Sequence, residues 1–189
     1  MYYEKVYKLP KLISQRDFMG LRPGRCYHKL KKRPYTRIAI RKPRKSFVKG
    51  VPASKIHQFE MGKNKDYPLK FFLQSKENIQ IRSNALESAR ITVTKHLNKN
   101  LGPENFFFKV LIYPHHILRE NPMATGAGAD RFSEGMRRSF GKPIGQAARV
   151  KINQKIFMTK VPNNSEKIVK IAFEKASKKL PGTYRIIAG

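Results

Sequence analysis

Residues 83–113 read SNALESARITVTKHLNKNLGPENFFFKVLIY, and this stretch decides the fold class. Ala85, Leu86, Ala89, Val93 and Leu97 recur at helical spacing, whereas Glu87, Arg90, Thr94 and Lys95 point largely elsewhere. The pattern predicts an amphipathic helix over 84–99. Ser83 is placed to cap its start, and Gly102-Pro103 stops it, because proline cannot continue the hydrogen-bond ladder. Residues 106–113 are apolar on both faces except at Lys109 and predict a strand central in a sheet, broken by Pro114.

The flanks repeat this strand-and-helix logic. Upstream, Ile56, Gln58 and Glu60 alternate with His57, Phe59 and Met61, predicting a strand over 55–61; a turn at 62–66 and a second strand over 69–74 follow. Downstream, 147–152 and 155–161 read as a hairpin around Asn153-Gln154. Asn163 followed by Glu166 suggests a capping box opening a second helix over 165–179. Its core stripe is Ile168, Val169, Ala172, Phe173, Ala176 and Leu180; Pro181-Gly182 ends it, and 183–187 returns as a last strand. The expected class is α+β: a two-layer sandwich in which a mixed sheet packs with two helices, burying Leu86, Val93, Phe107, Phe173 and Ala176.

Between the two halves lies a different kind of segment. Residues 121–146 hold five glycines, two prolines and four cations against two acids. Such a run contributes little apolar surface and is long for an internal connection, where about 4–6 residues is usual. A long polar glycine-rich loop on a rigid body is suited to reaching a partner.

Charge names the class of partner. The 189 residues carry 41 Lys and Arg against 12 Asp and Glu, a net charge of +29, so a polyanion is the expected counterpart. From Phe18 to Phe59 there is no acid at all, and turn-rich runs such as Arg22-Pro23-Gly24-Arg25 and Lys31-Lys32-Arg33-Pro34-Tyr35 predict extended chain. Its cations Arg22, Arg25, Lys31, Lys32, Arg33, Arg37, Arg41, Lys42, Arg44 and Lys45 are the expected phosphate contacts, with Tyr27, Tyr35 and Phe47 able to stack on exposed bases. The division that follows is an N-terminal arm at 1–19, a basic extended segment at 20–54 and an α+β domain at 55–189. One cysteine, Cys26, excludes an internal disulfide framework and fits a reducing, cytoplasmic compartment. No apolar run is long enough for a membrane helix.

Enzyme readings fail on context. Gly126-Ala127-Gly128 is not a full dinucleotide fingerprint, and Gly141-Lys142 is followed by Pro143 rather than by Ser or Thr. Cys26, His28, His115 and His116 lack structural-zinc spacing, so neither metal nor cofactor is expected. Arg131, Arg137, Arg138 and Lys142 are better suited to reading phosphates, with Asp130 and Glu134 orienting the arginines.

Several separate runs then carry a resemblance. They are Arg22-Pro-Gly-Arg-Cys-Tyr27, Gly50-Val-Pro52, Ser83-Asn-Ala-Leu-Glu-Ser-Ala-Arg90, Tyr113-Pro-His-His-Ile-Leu-Arg119, Gly126-Ala-Gly-Ala-Asp-Arg131, Gly135-Met-Arg137 and Phe140-Gly-Lys-Pro143. In this order, from about Gly20 to Gly182, the chain resembles the archaeal and eukaryotic form of universal large-subunit ribosomal protein family sixteen, traditionally called protein ten-e. The resemblance implies an α/β-hammerhead-like fold seated on large-subunit ribosomal RNA, beside neighbouring ribosomal proteins. It also implies a loop directed toward the peptidyl transferase centre and the acceptor arm of transfer RNA. That loop matches residues 123–138 here, so Met123, Gly126, Gly128, Asp130, Arg131, Gly135, Arg137, Arg138 and the following Lys142 are its expected transfer-RNA-proximal residues. Arg119 is the family's loop-base arginine and joins the RNA-binding set. The first eighteen or so residues depart from the usual family start, and the short C-terminal tail favours an archaeal source. A role as a structural constituent, with no catalysis and no homo-oligomer, is expected; a non-ribosomal RNA-binding protein or RNA chaperone is the alternative.

Overall fold

The computed structural model describes residues 21–30, 33–36, 48–123, 126, 128–132 and 134–189. The expected arm at 1–19 and the cations Lys31, Lys32, Arg37, Arg41, Lys42, Arg44 and Lys45 lie outside the described residues, as does Phe47.

Among the described residues, eight strands and three helices follow one another: β1 (Glu60–Gly62), β2 (Leu69–Ser75), β3 (Ile79–Arg82), α1 (Ser83–Leu101), β4 (Phe107–Val110), β5 (His116–Glu120), α2 (Ala129–Phe132), β6 (Lys142–Val150), β7 (Lys155–Val161), α3 (Glu166–Ser177) and β8 (Tyr184–Ala188). A short 3₁₀ turn, Gly24–Tyr27, precedes them. The strands form two sheets, one of five strands in the order β1-β4-β7-β2-β8 and one of three in the order β3-β6-β5. Every pairing is antiparallel, so the expected mixed sheet is corrected to two antiparallel sheets. The physical reason lies in where each helical crossover lands. α3 joins β7 to β8, but β2 lies between them and pairs antiparallel with both. α1 leaves β3 in one sheet and delivers β4 to the other.

One core serves both sheets. Leu86, Ala89, Val93 and Leu97 of α1 are fully buried, as are Val169, Ala172, Phe173 and Ala176 of α3. They meet Phe71 and Leu73 of β2, Phe108 and Val110 of β4, Phe157 and Val161 of β7, and Ile81, Ala148 and Val150 from the smaller sheet. Phe107 is buried as expected but stands outside this core, because alternation along β4 turns it to the opposite face from Phe106, Phe108 and Val110.

Four local expectations change, the first being the strand expected over 55–61, which forms only at Glu60–Gly62. Ser83 is the first residue of α1; Arg82 occupies the cap position in extended conformation, with no side-chain cap bond. α3 begins at Glu166 with Ser165 at its cap position and no side-chain capping bond, so Asn163 and Glu166 form no capping box. The expected hairpin around Asn153 does not pair: β6 belongs to the smaller sheet and β7 to the larger. The turn itself is real, with Asn153 at a φ of 64°. Its backbone bonds go instead to the end of β2, Asn153 N–H donating to the Ser75 carbonyl (2.9 Å) and Ser75 N–H to the Gln154 carbonyl (3.1 Å). Asn78, between β2 and β3, accepts from Ile152 N–H at 2.9 Å, so two passages between the sheets run side by side.

Candidate RNA interface

The smaller sheet is strapped at both edges by the basic segment. At the β3 edge, Gln80 N–H donates to the His28 carbonyl (2.9 Å), and its side-chain amide donates to the Tyr27 carbonyl (2.9 Å). At the β5 edge, Ile117 N–H donates to the Tyr35 carbonyl (2.8 Å). Tyr35 N–H in turn donates to His116 Nδ1 (2.8 Å). Because a backbone N–H can only donate, this bond requires Nδ1 of His116 to be unprotonated.

Burial, followed by the positive charges of Arg149, His115 and Arg119, lowers the pKa of His116 from 6.5 to about 4. The unfolded chain therefore binds a proton at His116 before the folded chain does. The resulting contribution to stability is present above about pH 6.5 and is lost as pH falls toward 4. An NMR titration of the His116 ring is expected to show its midpoint near 4, with the Tyr35 amide shift changing in the same step; a midpoint near 6.5 would refute this environment.

Arg22, the first of the expected phosphate contacts, is partly engaged within the protein. Arg22 Nε contacts Glu120 Oε1 at 2.8 Å while its side chain stays 47% exposed. Tyr27 OH donates to Glu120 Oε2 (3.2 Å), and Arg82 donates to the Arg22 carbonyl (2.8 Å). Burial, then the charge of Glu120, raises the Tyr27 pKa. Beside this network is a cleft of about 550 Å³, its apolar wall including Leu21, Pro52, Leu118 and Ile144. Arg25 and Arg33 are exposed.

Arg119, the expected loop-base arginine, lies in β5 just before the glycine-rich segment. Its guanidinium lies 3.4 Å from the Phe140 ring centroid and 4.7 Å from that of Tyr35, and it donates to the Phe140 carbonyl. Tyr35 and Phe140 meet edge to face with centroids 5.7 Å apart. The arginine thus ties strap, strand and loop together through cation–π contacts. Tyr27 and Tyr35, expected as possible base-stacking rings, are both engaged inside the protein.

β6 starts at Lys142, which shortens the expected loop of 121–146 to 121–141. Asn121 closes its neck by donating to the Gly135 carbonyl at 3.1 Å. Gly141 has a φ of 79°, and a Cβ there would lie 2.7 Å from the Glu120 backbone, so the neck closes only around a glycine. Gly126, Gly128 and Gly135 also have positive φ. Asp130 and Arg131 fall in α2, Arg131 exposed. Arg137, Arg138 and Lys142 are exposed, as is Met123. Glu134 pairs with Arg138 at 3.5 Å. The folding therefore gathers Arg119, Arg131, Arg137, Arg138 and Lys142 at one end of the smaller sheet. The sequence singled out Tyr35 only as a base-stacking ring and Phe140 only within a resembling run; their meeting at Arg119 was not legible, since both lie far from it and from each other along the chain.

Among the described residues no group of three or more His, Cys, Asp or Glu is placed to hold a metal ion, and no helix is long and apolar enough to cross a membrane.

The family model described as Ribosomal protein L16p/L10e matches residues 35–187. The chain belongs to the L16p/L10e family. Its relatives include a protein named large ribosomal subunit protein uL16 from Archaeoglobus fulgidus, 43% identical over 170 residues that span 89% of this chain and 93% of the relative. Proteins of the same name from Methanosphaerula palustris and Methanoculleus marisnigri are each 44% identical over 170 residues, covering 89% of this chain and 94% and 96% of theirs. The L16p/L10e family is a structural, non-enzymatic one.

Proposed function

We propose that this chain is a structural constituent of the large ribosomal subunit, located in the cytoplasm, that binds large-subunit ribosomal RNA and helps position transfer RNA near the peptidyl transferase centre. The carrying observation is the braced loop: Arg119 is clamped between Tyr35 and Phe140, while Arg131, Arg137, Arg138 and Lys142 stand exposed beyond it. A firm base with a cationic, glycine-rich crown can present backbone N–H groups and guanidinium groups to phosphates at close range. The family membership and the uL16 relatives support the ribosomal setting. In this reading the strap cations Arg22, Arg25 and Arg33, together with those of 31–45, seat the body on ribosomal RNA. Met123, Gly126, Gly128, Asp130 and Gly135 shape the loop near transfer RNA.

The test is gradient sedimentation of a native lysate carrying the tagged full chain. Stable co-migration with large subunits after a salt wash is the expected result. Recovery of the protein free, or on other nucleic acid, would overturn the ribosomal assignment in favour of a general RNA-binding protein.

A further inference from the structure

The five-stranded sheet has a second face, turned away from the helices, and the loop and strap do not account for it. Strand alternation puts Lys70, Phe72 and Gln74 there from β2, while Phe71 and Leu73 enter the core. Lys160 of β7 stands directly opposite Lys70, and Lys155, past a bulge, opposite Gln74. Phe107 of β4 stands on the other side of Lys160.

Like charges facing each other across neighbouring strands destabilise a sheet, and among the described residues no acid pairs with either lysine. Among the described residues, Lys70, Lys155 and Lys160 have no carboxylate within 4.0 Å; Lys160 instead donates to Asn64 at 3.1 Å. What holds them is aromatic. Lys155 Nζ lies 3.7 Å and Lys70 Nζ 5.4 Å from the Phe72 centroid, and Lys160 Nζ lies 5.6 Å from that of Phe107. Arg185 is fixed on the same face by bonds to Gln74 (2.7 Å) and Asn153 (2.9 Å). Glu60, the acid of this face, is taken by Lys109.

We propose that this face is a second RNA site, at which Lys70, Lys155 and Lys160 grip phosphates of a nucleic-acid backbone. Base stacking is excluded as the mode, because Phe72 and Phe107 are only 7% and 5% exposed and lie beneath the lysines. The site reads backbone charge and not sequence. A sugar–phosphate strand suits it better than an acidic peptide. Same-face positions repeat at about 6.7 Å along a strand and about 4.8 Å across strands, and a nucleic-acid strand supplies fixed charges at about 3.4 Å of axis per nucleotide. A peptide would have to immobilise flexible carboxylate side chains to do the same.

The experiment measures binding of the full chain to in vitro transcribed large-subunit ribosomal RNA across a salt series. The triple variant Lys70→Gln, Lys155→Gln, Lys160→Gln is expected to reduce the slope of log affinity against log salt by about 2–3, at about 0.7–0.9 for each phosphate no longer neutralised. The triple Lys→Arg variant should keep the wild-type slope. A control removing the same charge from α3 and its C-terminal end, Lys167→Gln, Lys178→Gln, Lys179→Gln, should change it by less than half as much. Thermal unfolding of each variant separates a damaged fold from weakened binding. An unchanged slope in the folded sheet variant overturns the proposal, as does an equal change in the control. So does a sheet variant that binds RNA normally but no longer holds an acidic protein neighbour. Failure of the wild-type chain to bind this RNA would instead count against the ribosomal reading itself.

Discussion

Phe173→Ala is expected to lower the unfolding free energy of the chain by about 3–5 kcal/mol, the range for removing a fully buried phenylalanine and leaving a cavity. Phe173 has no exposed surface. It projects from α3 beside Ala172 and Ala176, whose small side chains let α3 lie close against α1. The walls of the resulting cavity could not readily close, because the strands beneath are pinned by β2 pairing with both β7 and β8. Urea unfolding of the full chain, with Ile171→Ala as a partner variant, checks this. Ile171 is 44% exposed on the same helix, and its truncation should change stability by no more than about 0.5 kcal/mol. A decrease below about 1 kcal/mol for Phe173→Ala would mean that α3 shifts to fill the space.

Deleting residues 124–134 is expected to leave the domain folded and able to join large subunits, yet to impair transfer RNA placement and peptide synthesis. The neck survives the deletion, because Asn121, Gly135, Phe140, Gly141 and Arg119 all lie outside it. Arg131 and the positive-φ glycines Gly126 and Gly128 are removed. A charge-assisted hydrogen bond contributes about 1.5–3 kcal/mol, so removing even one such bond weakens transfer RNA binding about tenfold or more. The check uses large subunits purified with the deleted protein, assayed for transfer RNA binding and for peptidyl transfer. Normal values in both assays would leave the loop without a positioning role.

What the sequence revealed and what it concealed follow from the range of each signal. The stripe Leu86, Ala89, Val93, Leu97 is a periodicity within one helix, readable because its members recur every three or four residues. The triplet Phe106-Phe107-Phe108 announced a strand, but which ring entered the core depended on register. β3 and β5, at four and five residues, are too short for a clear period, and their partner β6 lies far along the chain from β3. Asn153 marked a turn correctly. That the flanking strands part was not legible there, since the turn's backbone bonds to Ser75, which lies far away along the chain. At the candidate interface, the cations and the glycine-rich segment were legible by composition, although β6 claims the last residues of the expected 121–146. The Arg119 clamp was not, since Tyr35 and Phe140 reach it only once the strap and the sheet have met.

The strap on the smaller sheet bears on how the chain survives before assembly. A sheet edge is a row of unused donors and acceptors and a template for joining another chain. Here the bonds from Gln80 to His28 and from Ile117 to Tyr35 occupy part of both edges with the protein's own backbone. The same tract that carries the cations thereby works as a built-in guard against strand exchange between newly made copies. Its own charge adds to the effect, since any two chains that approach through this region bring acid-free segments together and repel. Solubility of the newly made chain and its proposed affinity for RNA thus draw on one stretch of sequence.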